Sequence, residues 1–161
     1  MPEQDAFVRA YREADAEAIA RLYRETVRTI NARDYSAAQI AVWARPEQDG
    51  AWWRERMARY PAVFVAERLG EIAGFAETED SGHVDCLYVH HRHQGVGIGS
   101  ALLAAIETRA RSRGIRRLFA DVSLTAHPFF RAKGFTVLRK KASPHRGQRF
   151  ELYEMEKHLE P

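Results

Sequence analysis

The residues with the clearest chemical promise run Val89-His90-His91-Arg92-His93-Gln94-Gly95-Val96-Gly97-Ile98-Gly99-Ser100. A β-rich apolar run ends at Val89, three glycines follow within five residues, and a long amphipathic pattern begins at Ile98. The first turn of a helix leaves its N–H groups unpaired. Glycines remove the Cβ that would hold a ligand off the backbone. With the helix dipole added, such a turn is a cradle for a phosphate or pyrophosphate. Gln94, Gly95, Val96, Gly97, Ile98, Gly99 and Ser100 are therefore the candidate anion-binding positions. Just upstream, Glu77, Glu79, His83 and Asp85 offer carboxylates and an imidazole for proton removal. Period-two alternation places His83 and Asp85 on one strand face, and Glu77 and Glu79 on one face of the preceding strand. Taken singly, each also reads as solvated surface. As a group they make a negative pocket for a cationic amine.

The elements that must position these residues are legible. DAFVRAYR reads as a first strand. Asp15 is placed to cap a helix carrying Ile19, Leu22, Tyr23, Val27 and Ile30 at helical spacing. NARDYS interrupts it, and Ser36 caps a second helix with Ile40 and Trp43. After a loop at PEQDG comes a helical piece around Trp52 to Arg59. PAVFVAE and EIAGFAETE form a hairpin joined by RLG, and HVDCLYVH is a third consecutive strand. The helix after the glycine loop carries Ile98, Leu102, Ala105, Ile106 and Ala110, pairs Glu107 with Arg111, and stops at Gly114. RRLFADV is a strand, a short helix spans Ala126 to Lys133, and FTVLRKK and RFELYEME close the chain as an antiparallel pair. The order β-α-α-β-β-β-α-β-α-β-β implies an α/β (α+β) fold, a mixed and mostly antiparallel sheet with helices on both faces.

The whole chain bounds these readings. Its 161 residues suit one domain spanning 1–161. Hydrophobic residues make up 45% and charged residues 29%, an ordinary globular mixture that excludes a disordered chain. Cys86 is the only cysteine, so no intrachain disulfide forms and a reducing, cytoplasmic location is expected. No apolar run reaches the ~18 residues of a membrane span. The first residues, MPEQDAFVRAYREAD, are charged where a signal peptide would be apolar. The net charge of +3 is too mild for a nucleic-acid binder, and Arg139-Lys140-Lys141 reads as a solvated hairpin. The cluster His90-His91-x-His93 contains no carboxylate, so no metal is expected.

Three phosphate-binding readings compete. A Walker A loop needs Gly-Lys-Ser/Thr, which is absent from the sequence. A dinucleotide fold would open on its glycine motif, and too few residues follow Gly99 to complete its sheet. Gln94-x-x-Gly97-x-Gly99, after a fourth strand and before a long helix, resembles the GNAT superfamily of acyl-CoA-dependent N-acetyltransferases. The resemblance covers nearly the whole chain, including the AKGF that ends the short helix. SLTAHPFF and the closing MEK resemble a bacterial subgroup of loosely characterised members.

The resemblance implies an acyl-CoA-dependent N-acetyltransferase of the EC 2.3.1 type. It would carry acetyl from acetyl-CoA, without a metal, to a primary amine of a small molecule or peptide, by direct attack in a ternary complex. It implies pyrophosphate on the amides of Gln94 to Ser100 and the pantetheine arm along Leu87, Tyr88 and Val89, paired like an added strand. A backbone N–H near Leu87 and Tyr88 would stabilise the oxyanion. Because the amine attacks directly, Cys86 reads as a small buried hydrophobe and not an acyl carrier. Glu77, His83 and Asp85 are the base candidates, His83 lying near the position of a base glutamate in some members. The sequence departs from the family at two places. Phe130 stands where a tyrosine often protonates the leaving thiolate, and Ser123 stands where an asparagine is common. Both positions still face the cofactor by the resemblance, and Tyr88, Tyr153, His127 or water are the alternatives to the missing acid, unless none is needed. Asn31 and Tyr35, at the break between the first two helices, are the acceptor-binding candidates. The missing tyrosine motivates an alternative, a non-catalytic acyl-CoA-binding or protein-interaction module. A homodimer is an option the sequence leaves open.

Overall fold

A computed structural model of the chain describes residues 6–161; the residues MPEQD, including the first of the predicted first strand, lie outside them. Strand β1 spans Ala6–Ala10, and helix α1 spans Ala16–Thr29. A 3-10 turn at Asn31–Arg33 leads to α2 (Ala37–Trp43) and α3 (Gly50–Met57). Strands β2 (Ala62–Arg68), β3 (Glu71–Thr78) and β4 (Val84–Val89) follow, then α4 (Ile98–Ser112). The chain closes with β5 (Arg117–Ser123), α5 (His127–Ala132), β6 (Thr136–His145) and β7 (Gln148–His158).

Helices α2 and α3 begin where side chains satisfy the first N–H groups. Ser36 caps α2, as the sequence predicts, and Gln39 completes a reciprocal capping box with it. Asp49 accepts from the Trp52 N–H at 2.9 Å, which starts α3 inside the expected PEQDG loop. Asp15 does not cap α1 through its side chain. Its carboxylate instead accepts two guanidinium bonds from Arg9 and the Arg12 N–H, because a charged partner outcompetes a lone amide.

Strands β1 to β4 form one antiparallel sheet in that order, and β5, β7 and β6 form a second. The expected mixed sheet is thus two antiparallel sheets. They touch through a single parallel bridge, His83 to Phe119. Past that bridge β4 and β5 part. Helix α4 buries Ile98, Leu102, Leu103 and Ile106 under both sheets, with Leu118, Val122 and Met155 across from them. On the other face of the first sheet, α1 and α3 bury Ile19, Leu22, Val27 and Trp53 against Val65 and Phe75. Gly74 lets α4 lie this close: a Cβ there would sit 2.9 Å from both the Ile98 side chain and the Tyr88 carbonyl.

Candidate active site

The site forms where β4 separates from β5. In the β3–β4 ladder Glu77 faces Cys86 and Thr78 faces Val84, so Asp85 is an extra, bulged residue. A bulge bends its strand and raises its twist, which turns β4 away from β5. It also breaks alternation. Val84 packs in the α4 core, while Cys86, two residues on, packs in the α1 core.

Beyond the bulge, the free edge of β4 faces the gap. The His90 N–H donates to the Ala73 carbonyl at 2.8 Å. Antiparallel pairs alternate, so Tyr88 and Cys86 bond towards β3, and the N–H groups of Leu87 and Val89 point to the open edge. The Val89 carbonyl, on the same side, accepts from Gln94 Nε2 at 2.8 Å and from Thr26 Oγ1 at 3.2 Å. The Gln94 side chain therefore braces the glycine loop onto the strand.

The loop then delivers its amides to the same gap. Gly97 sits at φ +90°, a left-handed conformation that favours glycine, and no side chain caps α4. Among the described residues no side chain accepts from the N–H groups of Gly95 to Ser100. A continuous cleft of about 810 Å³ includes Gln94, Gly95, Gly97, Ile98, Gly99 and Ser100 together with Leu87, Tyr88 and Val89. The Val96 side chain is the exception and turns to solvent, about half exposed. The uncapped glycine loop and the open strand edge thus share one space. The histidines build the loop's outer support. His93 donates from Nε2 to Glu71 at 2.6 Å, and Arg68, always a donor, faces its Nδ1 at 3.2 Å. His90 accepts the Arg92 N–H at Nδ1, and burial pushes its pKa down, which keeps it neutral.

The candidate bases occupy different positions. Glu77 is fully buried beneath the cleft, where Arg56 grips both its oxygens at 2.8–3.1 Å. Burial pushes its carboxyl above the ordinary range despite Arg56. His83 lies outside the cleft lining and bonds Glu79 at 2.6 Å. Asp85 lines the cleft, accepts from Arg56 at 3.1 Å and from the Tyr60 hydroxyl, and has an oxygen within 4.8 Å of the His83 and Glu79 polar atoms. In the pocket expected to be negative, Glu77 and Asp85 are ion-paired to Arg56, and Glu79 pairs with His83. The sequence held a signal for Arg56: Trp52, Arg56 and Tyr60 recur at i, i+4 and i+8, and the guanidinium sits 5.3–5.8 Å from the Trp52, Trp53 and Tyr60 ring centres. Burial holds the Cys86 thiol and the Tyr88 phenol well above their usual ranges, so both stay protonated. The Tyr88 oxygen accepts from Trp43 Nε1 at 3.1 Å.

The far wall comes from the second sheet. Ser123 lines the cleft and its Oγ accepts the Ala126 N–H at 3.0 Å. Phe130 lines it as a buried ring packed edge-on against Phe129 and Phe135. Nearby, Thr125 also lines the cleft, and its buried Oγ1 has no hydrogen-bond partner among the described residues. The sequence reading missed it, since a lone threonine in a turn carries no signal. At the opposite end, the Tyr35 hydroxyl donates to the Glu151 carbonyl and accepts the Leu124 N–H, a strut between the helical segment and the second sheet. Asn31 lines the cleft with its residue 5% exposed, and no described residue bonds its carboxamide.

Comparison with known proteins agrees with this arrangement. The acetyltransferase (GNAT) domain family matches residues 31–159. The N-acetyltransferase YafP of Escherichia coli, itself uncharacterised, is 28% identical over 92% of this chain and 93% of its own. The L-amino acid N-acyltransferase MnaT of Escherichia coli is 33% identical over 71% of this chain and 69% of its own. A GCN5-related N-acetyltransferase structure from Rhodopseudomonas palustris superposes with a TM-score of 0.90 at 29% identity, covering 99% of both chains. The yncA protein of Salmonella typhimurium, solved with its cofactor acetyl-CoA, superposes with a TM-score of 0.70 at 25% identity, covering 98% of this chain and 96% of that one. With its glycine cradle, its open fourth strand and a family match over most of its length, the chain belongs to the GNAT family of acetyltransferases.

Proposed function

We propose that the protein, acting as one domain in the cytoplasm, transfers acetyl from acetyl-CoA to a primary amine in a ternary complex. One observation carries this reading: uncapped amides of the glycine loop and the open edge of β4 line one cleft. The residues fit the co-substrate. Gly95 to Ser100 would hold its pyrophosphate through main-chain N–H groups. Leu87 and Val89 would pair with the pantetheine amides along the strand edge. A Leu87 N–H aimed at the thioester oxygen would stabilise the charge that grows there as the amine attacks.

The attacking nitrogen forms the new C–N bond and loses a proton, the tetrahedral centre collapses, and the C–S bond breaks to leave a thiolate. Of the two carboxylates that line the cleft, Asp85 and Asp121, Asp85 would take the amine's proton, with His83 and Glu79 behind it. Glu77 is the structural counter-ion of Arg56 in this scheme. Phe130 has no ionisable proton, so the departing thiolate would take its proton from solvent, while the Thr125 hydroxyl would donate a hydrogen bond to the sulfur. The absent phenol is also what favours the second reading, an acyl-CoA-binding module without catalysis.

Two measurements test the proposal. Calorimetry should show CoA binding to the native chain. Gly97→Glu should weaken it by more than about a hundredfold, because each lost charge-assisted bond contributes about 1.5–3 kcal/mol. A Cβ at Gly97 meets no atom within 4 Å, so the side chain projects into open space; the left-handed backbone at φ +90° is strained by the substitution, so an unchanged circular dichroism spectrum must accompany the loss of binding. No CoA binding at millimolar ligand would overturn both readings. Binding without acetylation of any amine in a broad panel would leave the binding module.

A further inference from the structure

The acceptor end of the cleft is cationic. Arg45, Arg56 and Arg146 line it, and Asp85 is the lining carboxylate there among the described residues. Asp121 lies farther along, on β5, where Lys141 pairs with it at 3.1 Å. Asp85 and the buried Glu77 are both engaged by Arg56. Arg45 and Arg146 are less committed. Arg45 gives Nε to Glu47 at 2.7 Å and Nη1 to the Val42 carbonyl at 3.4 Å, while no described residue bonds its Nη2, although the side chain is only 14% exposed. Arg146 makes no hydrogen bond or ion pair within 4.0 Å with any described residue. Glu47, outside the lining and more than half exposed, is the acid near both.

Two further features narrow the ligand. The Asn31 carboxamide, on a residue 95% buried, faces this space unbonded. With no partner among the described residues, this amide is free to bond a polar group of a ligand in the cleft. Beside it Trp43 meets Tyr35 and Phe150 edge-on at 5.0 and 5.7 Å, and Tyr35 lies tilted against Phe150 at 5.8 Å, an uncharged aromatic wall.

We infer that the acceptor amine also carries a carboxylate: a free amino acid with an uncharged side chain, its carboxylate held by Arg45 and Arg146 and its side chain laid on the aromatic wall. Guanidinium matches carboxylate in charge and fork geometry. A second ammonium on the acceptor would meet these guanidiniums as a like charge. The inference rests on the transferase reading above.

The test uses the full chain with saturating acetyl-CoA and four amines: L-phenylalanine, L-phenylalaninamide, phenethylamine and cadaverine. Rates are compared per unprotonated amine. One charge-assisted carboxylate contact predicts kcat/KM for L-phenylalanine at least about tenfold above its amide and its decarboxylated form, with cadaverine lowest. Arg45→Gln and Arg146→Gln should each shrink the ratio of L-phenylalanine to phenethylamine about tenfold, mainly through KM. Phenethylamine or cadaverine matching L-phenylalanine would overturn the inference, as would a ratio that survives both substitutions. The wild-type comparison stands alone should a variant fold poorly. Acetylation of other amines with none of these four turned over would sink this inference and spare the transferase; no acetylation of any amine would sink both.

Discussion

At Arg56 one guanidinium holds two acids. Glu77 is wholly buried, so removing Arg56 strands a charge in the core. Arg56→Gln should destabilise the fold by about 3 kcal/mol, in the range for breaking a buried pair. The loss should depend on pH. Burial raises the Glu77 carboxyl above its unfolded value, so the protonated form favours the fold at low pH and that contribution disappears as pH rises through the folded value. Without Arg56 nothing offsets this, and urea unfolding should show a larger deficit at pH 8 than at pH 5.5. A deficit equal at both would contradict the account. Thr125 makes a different kind of prediction. Its orphan hydroxyl should find its partner in the bound pantetheine arm. Thr125→Val should weaken CoA binding about tenfold by calorimetry and leave 3′,5′-ADP, which lacks the arm, unchanged, while Thr125→Ser retains affinity.

Among the elements, caps and periods were legible in the sequence because they are local. Ser36 and Gln39 are three residues apart and pair as such, and Ser36→Ala should cost about 1 kcal/mol in thermal or urea unfolding. Gly114 and Gly134 end α4 and α5 in left-handed conformations, as the composition implies. The glycine cradle was legible too, since three glycines between a strand and a helix carry their own physical reason. What escaped depends on pairing across the chain. No local pattern marks Asp85 as a bulge, because the bulge exists only against the register of β3. With it went the simple two-face sorting of Glu77, His83 and Asp85. Asp15 misled for a related reason, since its partner Arg9 lies on a different element.

For the molecule as a whole, the cleft exists because two antiparallel sheets share one helix and one bridge. Helix α4 fastens both sheets from below, His83 and Phe119 join them at one end, and the strut from Tyr35 to Leu124, just past β5, and to Glu151 of β7 holds the far end. Between these points the edge of β4 stays unpaired, an exposure that folded proteins ordinarily cover. The most direct measurement of whether CoA is that cover is an amide NMR titration of the native chain with CoA. The N–H resonances of Gly95 to Ser100 and of Leu87 and Val89 should shift together, saturating at one ligand per chain, while Tyr88, paired to β3, shifts less. Saturable CoA binding that leaves Leu87 and Val89 unmoved, or that perturbs a surface away from the glycine loop, would contradict it.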